Sequence, residues 1–175
     1  MRHSIIFLIF LSLVTCISAQ ASRWVLFVPE DGRFQIKMPA DPKGTENRFR
    51  LPTDEEMTGW NYILEDSGTK MAFTVGYNDW PESWIKKKPA SWFLDSGREG
   101  MIKTLGGKLT RETKIEKDGF PGREIMGEIP GLGLIWGRIY LVGSRYYQIS
   151  VIYKPADADY DTVGAYLESF SFRKK

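Results

Sequence analysis

The sequence predicts an α+β protein in which a single antiparallel β-sheet is flanked by helices. The main observation is a pair of runs rich in aromatic and β-branched residues, 134–142 and 146–153, separated by Gly143-Ser144-Arg145. Two such runs joined by a short glycine-containing connector are typical of a β-hairpin. The other strand-like segments are also consecutive and joined by short turns, which favours an antiparallel sheet with helices packed on it.

The first 21 residues have the layout of a secretory signal peptide. Arg2 and His3 are followed by an apolar run over 5–14 and then by Ala19-Gln20-Ala21, an A-x-A cleavage pattern. The apolar run is about half of the roughly 20 residues that a membrane-spanning helix needs. An uncleaved membrane anchor and a lipoprotein attached at Cys16 remain as alternatives. We therefore expect removal of 1–21, a single domain over 22–175 with no transmembrane segment, and a secreted or periplasmic location.

Alternating apolar and polar residues predict five strands in the first half of the chain. Phe34, Ile36 and Met38 share one face of the second strand, which is expected to form a hairpin with the first. Residues 78–88 are expected to be a connector. The predicted strands cover residues 23–28, 33–38, 45–51, 58–64 and 71–77.

Residues 89–107 contain the best helix candidate. Pro89 suits the first turn of a helix, where its missing N–H group is not needed, and Gly106-Gly107 would end the helix. Gly97 and Gly100 each weaken it by roughly 1 kcal/mol relative to alanine. Either close packing against the sheet or chance explains why glycine occupies these two positions.

The second half of the chain predicts four more strands and a last helix. The helix opens within 155–161, and its apolar stripe includes Val163, Tyr166 and Leu167. The strands 134–142 and 146–153 are expected to be neighbours in the middle of the sheet. Ile139, Leu141, Ile149 and Val151 are expected to be buried on one helix-facing side. The predicted strands are 109–117, 123–129, 134–142 and 146–153.

Composition excludes several classes of function. The only histidine, His3, and the only cysteine, Cys16, fall in the segment that we expect to be removed. A catalytic Ser-His-Asp triad, a cysteine nucleophile and a histidine-ligated zinc ion are then impossible. Loss of Arg2 with no acidic residue lowers the net charge from +2 to about +1. A nucleic-acid partner would require a clear basic excess, so none is expected.

Three segments resemble small exported bacterial domains of the PsbP-like group. They are PEDGRFQIKMPADP, then GMIKTLGGKL followed by DGFPGRE, and IYLVGSRYYQISVIY followed by a helix that ends in ESFSF. The most specific element is Gly119-Phe120-Pro121-Gly122-Arg123-Glu124. The resemblance implies an α/β/α sandwich and a non-catalytic protein. Members named for photosystem II help to retain calcium and chloride, in some cases through a histidine that the mature chain lacks, so this role is not implied.

Four acidic residues near the C-terminus match the spacing of a calcium-binding loop. Asp157, Asp159, Asp161 and Glu168 occupy the first, third, fifth and twelfth positions of that pattern. Thr162, however, takes the place of the glycine that the sharp turn requires. The alternative is that these aspartates cap the last helix, where negative charge is favourable.

Aromatic residues form the other candidate site. If the tryptophans near residues 80–92 lie over the sheet edge, they could line a groove for a sugar or an apolar ligand. The alternative is that they close the core beneath the connector. The candidate ligand-binding residues are Trp60, Tyr62, Tyr77, Trp80, Trp84 and Trp92.

These observations favour an exported, monomeric, non-catalytic domain that binds a protein or a small molecule and needs no cofactor. Neither the partner nor the ligand is identified by the sequence. The alternative is a hydrolase of envelope carbohydrate that uses two carboxylates. A pocket with two facing acidic side chains would favour the hydrolase.

Overall fold

A seven-stranded antiparallel sheet forms the centre of the molecule. The computed structural model describes residues 24–173, and the expected signal peptide lies outside these residues. Along the sheet the order is β3-β4-β5-β9-β8-β7-β6, so β9 has three strands on either side. The strands of this sheet are β3 (Lys43–Arg50), β4 (Glu56–Asp66), β5 (Met71–Asp79), β6 (Lys108–Lys117), β7 (Phe120–Ile129), β8 (Gly133–Val142) and β9 (Arg145–Tyr153).

A second, three-stranded sheet corrects the prediction of a single sheet. β1 (Val25–Phe27) pairs with β2 (Phe34–Met38), as expected, and β2 also pairs with β10 (Ser171–Phe172). The prediction was wrong because β10 has two residues and its partner lies more than 130 positions earlier in the chain. A strand this short leaves no periodic signal in the sequence.

Three α-helices accompany the sheets. They are α1 (Glu82–Ile85), α2 (Ala90–Lys103) and α3 (Tyr160–Ser169), and a 3₁₀ turn over Pro155–Asp157 precedes α3. α1 lies in the segment that was predicted to be only a connector. α2 and α3 are the two predicted helices, although α2 ends before the predicted boundary.

The central strands of the large sheet are buried on both faces. α2 covers one face and contributes Phe93, Leu94, Met101 and Ile102 to the core on that side. The small sheet and α3 cover the opposite face, where β2 and α3 side chains meet the central strands. Both faces of β8 and β9 are therefore apolar, which explains their nearly continuous hydrophobic sequence.

The central hairpin is confirmed, with one correction. β8 and β9 are adjacent and antiparallel, and Ile139, Leu141, Ile149 and Val151 are all buried. They do not share one face: Ile139 and Leu141 pack on the α2 side, whereas Ile149 and Val151 pack on the α3 side. The register decides this, because Ile139 lies opposite Gln148 rather than opposite Ile149.

Candidate functional site

One side of α2 faces the outer strands β6 and β7 and carries polar side chains. Ser91, Asp95 and Arg98 are spaced by four and three residues, which places them on one side of a helix. Across from them, Lys114 of β6 pairs directly with Arg123 of β7. Paired residues of neighbouring strands point to the same face of a sheet, so this pair and the α2 side chains converge.

The converging side chains line a solvent-open cavity of about 380 Å³, which we call the arginine pocket. It is a small cleft formed by one helix and two strands, all of regular secondary structure. The residues of the arginine pocket are Ser91, Asp95, Arg98, Glu112, Lys114 and Arg123.

Glu112 holds the two arginines in place. Its Oε2 atom accepts a hydrogen bond of 2.8 Å from Nη1 of Arg98, and its Oε1 atom lies 3.0 Å from Nε of Arg123. The side chains of Arg98 and Arg123 are only 21% and 10% exposed. Burial by itself would lower the pKa of Arg98, but the hydrogen bond to Glu112 and the nearby carboxylates outweigh it and raise the pKa. Arg98 therefore stays charged in a partly desolvated place.

Asp95 makes looser contacts with the same two arginines. Its Oδ1 atom lies 3.5 Å from Nη1 of Arg98 and 3.7 Å from Nη2 of Arg123, and its side chain is 45% exposed. Charge-assisted hydrogen bonds between nitrogen and oxygen are normally 2.7–2.9 Å long. Asp95 is thus a half-exposed carboxylate with long contacts to the arginines, whereas Glu112 is more buried and makes the shorter contacts.

The amino-terminal end of α2 adds positive potential beside the pocket. Pro89 is the N-cap residue, no side chain caps the helix, and the first turn contains no acidic residue. Ser91 lies in this first turn and lines the pocket. The unpaired N–H groups of a first turn carry partial positive charge.

The chemistry available in the pocket is ionic recognition. Residues 24–173 contain neither histidine nor cysteine. The two carboxylates of the pocket both contact arginine side chains. Guanidinium groups bind planar oxyanions through paired N–H donors.

The six aromatic residues that we predicted as a ligand groove are divided between the two faces of the sheet. Trp60, Tyr62 and Tyr77 belong to the core beneath the small sheet, where the rings of Trp60 and Tyr62 stack with centroids 6.1 Å apart. Trp80, Trp84 and Trp92 belong to the core beneath α2. The structure therefore does not bring all six together.

Trp80, Trp84 and Trp92 form a cluster in which each ring contacts the other two. Their centroids are 5.6 to 5.8 Å apart, and Trp80 also lies 5.1 Å from Phe93 of α2. Nε1 of Trp84 donates to Oε2 of Glu55 at 3.1 Å. This cluster joins α1, α2 and the loop before β4, which agrees with the alternative that the tryptophans close the core.

Three of the four acidic residues of the calcium pattern have separate partners, and the fourth lies in the first turn of α3. Asp159 caps α3 by accepting a hydrogen bond from the Thr162 N–H group, and Asp157 accepts one from Lys70. Glu168 contacts Arg138 at 2.7 Å, and Asp161 lies in the first turn of α3. Within residues 24–173, no group of three or more acidic, histidine or cysteine side chains is arranged to hold a metal ion.

Sequence reasoning missed the arginine pocket. Arg123 belongs to the segment 119–124, which was singled out, and the spacing of Ser91, Asp95 and Arg98 was visible as one side of a helix. Nothing in the sequence gave the register of β6 against β7 or the strands that α2 covers. Both are needed to bring Glu112 and Lys114 to this helix.

A second cavity, of about 440 Å³, lies beyond the carboxyl end of α2. Glycine, proline and apolar residues provide most of its lining, including Gly107, Ile129 and Pro130. Lys108 and Glu128 are its charged lining residues among those described. Without converging polar groups it offers little basis for specific recognition.

Comparison with known structures identifies the type of fold. The solution structure of cyanobacterial PsbP (CyanoP) from Synechocystis sp. PCC 6803 matches with a TM-score of 0.57 and 10% identity, over 92% of this chain and 99% of that chain. The protein therefore has a PsbP-like fold, which confirms the resemblance drawn from its sequence. At this level of identity the match concerns the fold alone.

A second match is much looser. A Pseudomonas aeruginosa protein of unknown function, PA94, superposes with a TM-score of 0.34 and 14% identity, over 77% of this chain and 85% of that chain, and has no bearing on the site. No protein-family model matches the sequence, and no curated protein is similar to it. None of the helices within residues 24–173 is both long and apolar enough to span a bilayer.

Proposed function

We propose that this protein is an exported, non-catalytic binding domain that holds a polar group of a small molecule or of a partner protein in the arginine pocket. The convergence of Arg98, Arg123 and Lys114 in one solvent-open cavity is the observation on which the proposal depends. Two of these side chains are largely buried and fixed by Glu112, so the pocket is preorganised for a ligand. The signal-peptide pattern of residues 1–21 supports export.

One observation favours a second candidate, a hydrolase that uses two carboxylates. Asp95 and Glu112 line the same pocket, as the catalytic pair of a glycosidase would. Such an enzyme needs one carboxyl group that carries a proton, and here both groups contact arginine. We therefore place the hydrolase second.

The proposal is tested with the mature protein, residues 22–175, and a panel of small polar compounds that includes envelope oligosaccharides. A ligand present at a hundredfold excess over its Kd stabilises the folded state by about 2.7 kcal/mol, which raises the melting temperature measurably. We expect some compounds to raise the melting temperature and to be recovered unchanged by mass spectrometry.

A matched variant separates pocket binding from surface binding. Lys87→Ala changes an exposed lysine outside the pocket and should leave the stabilisation unchanged, whereas Lys114→Ala should reduce it. Cleavage of an oligosaccharide that is abolished in Glu112→Gln would replace the proposal with the hydrolase. Failure of every compound to stabilise the protein would contradict the binding function itself.

A further inference from the structure

We infer that the arginine pocket takes an oxyanion, a carboxylate or a phosphate group, and that the Asp95 carboxylate occupies the place of this ligand when the pocket is empty. The inference rests on the proposed function of the pocket. It specifies the chemical class of the ligand and identifies Asp95 as a group that competes with the ligand.

The charges of the pocket favour an anion. Three cationic side chains, Arg98, Lys114 and Arg123, face two carboxylates, Asp95 and Glu112. Within residues 24–173, Lys114 forms no ion pair, although it lies directly beside Arg123 in the sheet. The lining residues of the pocket therefore have an excess of one positive charge, and the amino-terminal end of α2 adds to it. Glu99, beside the pocket, lies 3.5 Å from Nη2 of Arg98 and is itself paired with Lys103.

The donors of the two arginines are not fully used. Glu112 engages Nη1 of Arg98 and Nε of Arg123, one oxygen for each. On the remaining side, Nη2 of Arg123 has only Asp95 within reach, at 3.7 Å. An arginine N–H group whose nearest carboxylate lies this far away can form a shorter, charge-assisted hydrogen bond with a well-placed oxyanion.

Asp95 shows where the oxyanion would lie. One of its oxygens lies between both guanidinium groups, at distances too long for strong hydrogen bonds. Its side chain is nearly half exposed, so it can turn into solvent at little cost. An incoming oxyanion with free choice of position can approach both arginines more closely than a carboxylate tethered to α2. Because both negative groups would compete for the same donors, Asp95 should weaken binding.

A cation would be a poorer occupant. Both carboxylates of the pocket are already neutralised by arginine, and the unpaired charge is that of Lys114. A cation would therefore meet net repulsion rather than attraction.

The test measures binding of inorganic phosphate and of citrate to the mature protein by isothermal titration calorimetry, at constant ionic strength maintained with sodium chloride. Asp95→Asn removes the competing charge with almost no change in shape, and we expect affinity to rise by about twofold to fivefold, the range of exposed ion pairs. Lys114→Gln should lower affinity by a similar factor. Phosphate and citrate separate the two chemical sources of the oxyanion, and saturable binding of either one supports the inference.

Two control variants make the same charge changes elsewhere. Asp161→Asn lies on α3, on the opposite face of the large sheet, and Lys43→Gln lies on the edge strand β3. Both should leave the affinity unchanged. All four substituted side chains lie at least partly in solvent, so we expect the variants to fold, which their melting temperatures will verify.

Four results would overturn the inference. If the pocket and control variants change the affinity equally, binding depends on the overall charge of the protein and not on the pocket. If Asp95→Asn binds no better than the wild type, Asp95 does not compete with the ligand. If neither oxyanion binds while neutral compounds of the panel do, the pocket still binds a ligand but not an anion. If nothing binds, the proposed function fails with the inference.

Discussion

The Arg145 side chain links the small sheet to the large sheet. It pairs with both carboxylate oxygens of Asp79, at 2.7 Å for Nε, and also contacts Asp31 in the turn between β1 and β2. Its guanidinium carbon lies 3.9 Å from the ring centroid of Tyr77, a cation–π contact. Burial by itself would lower the pKa of Arg145, but the two carboxylates outweigh it, and the pKa is raised.

The pair between Arg145 and Asp31 predicts a pH-dependent contribution to stability. Burial would raise the pKa of Asp31, but the hydrogen bond from Arg145 and that from the Arg33 N–H group lower it below its ordinary value of 3.8. A lowered folded-state pKa means that the stabilisation is complete well above pH 3.8 and is lost as the pH falls through the lowered pKa.

We expect Asp31→Asn to reduce the free energy of unfolding at pH 7 by about 1.5 to 3 kcal/mol, the size of a hydrogen bond to a charged group. Urea denaturation of both proteins between pH 7 and pH 2 should show the difference shrinking below pH 3.8. Asp41→Asn, at an exposed aspartate, is the control and should show no difference. Equal midpoints for Asp31→Asn and the wild type at pH 7 would show that this pair does not stabilise the fold.

The two glycines of α2, Gly97 and Gly100, differ in how closely the rest of the protein packs against them. A Cβ atom at Gly97 would lie 2.3 Å from the ring of Tyr146, a buried residue of the central strand, whereas one at Gly100 would meet nothing within 4 Å. Close packing therefore explains Gly97. The structure gives no reason for Gly100.

Alanine substitutions at Gly97 and Gly100 should change the stability of the protein in opposite directions. Gly100→Ala should stabilise the protein by up to about 1 kcal/mol through helix propensity, since the site is open. Gly97→Ala gains the same propensity but must displace Tyr146, and overpacking typically costs about 1 to 3 kcal/mol, so we expect net destabilisation. Thermal unfolding of the two variants measures the difference. A Gly97→Ala variant as stable as Gly100→Ala would mean that α2 does not sit against β9 as closely as described.

Most elements of the fold were predictable because their signals are local. Alternation along 71–77 and 109–117 indicated strands whose observed bounds differ by no more than two residues at either end. What the sequence could not give is set by distant pairing. The pairing of β2 with β10 and the assignment of Ile139 and Ile149 to opposite faces both depend on register and topology, which period-two patterns leave open.

The candidate site could not be predicted from the sequence for the same reason, because it depends on contacts between distant segments. Aromatic residues attracted attention in the sequence, and the structure places them in two separate cores, where large side chains contribute most to burial. The arginine pocket consists of residues that look like an ordinary solvated surface when each is taken alone. Only the placement of α2 over β6 and β7 turns Arg98 and Arg123 into neighbours.

For the molecule as a whole, the PsbP-like fold is a packed scaffold on which the arginine pocket is built. Both faces of its central sheet are filled by packed side chains, so a ligand of appreciable size cannot enter between the layers without disrupting the core. The proposed ligand would then bind at the edge of the molecule, where three basic and two acidic side chains converge in the arginine pocket.

The location of binding can be measured directly by titrating ¹⁵N-labelled mature protein with the compound that raises the melting temperature most and following the backbone amide signals. We expect the largest shifts at Ser91, Glu112, Lys114 and Arg123, with the signals of the α3 side unchanged. Shifts concentrated instead around Trp60, Tyr62 and Tyr77, or around Trp80 and Trp84, would place the ligand on the aromatic residues and contradict the assignment of the arginine pocket.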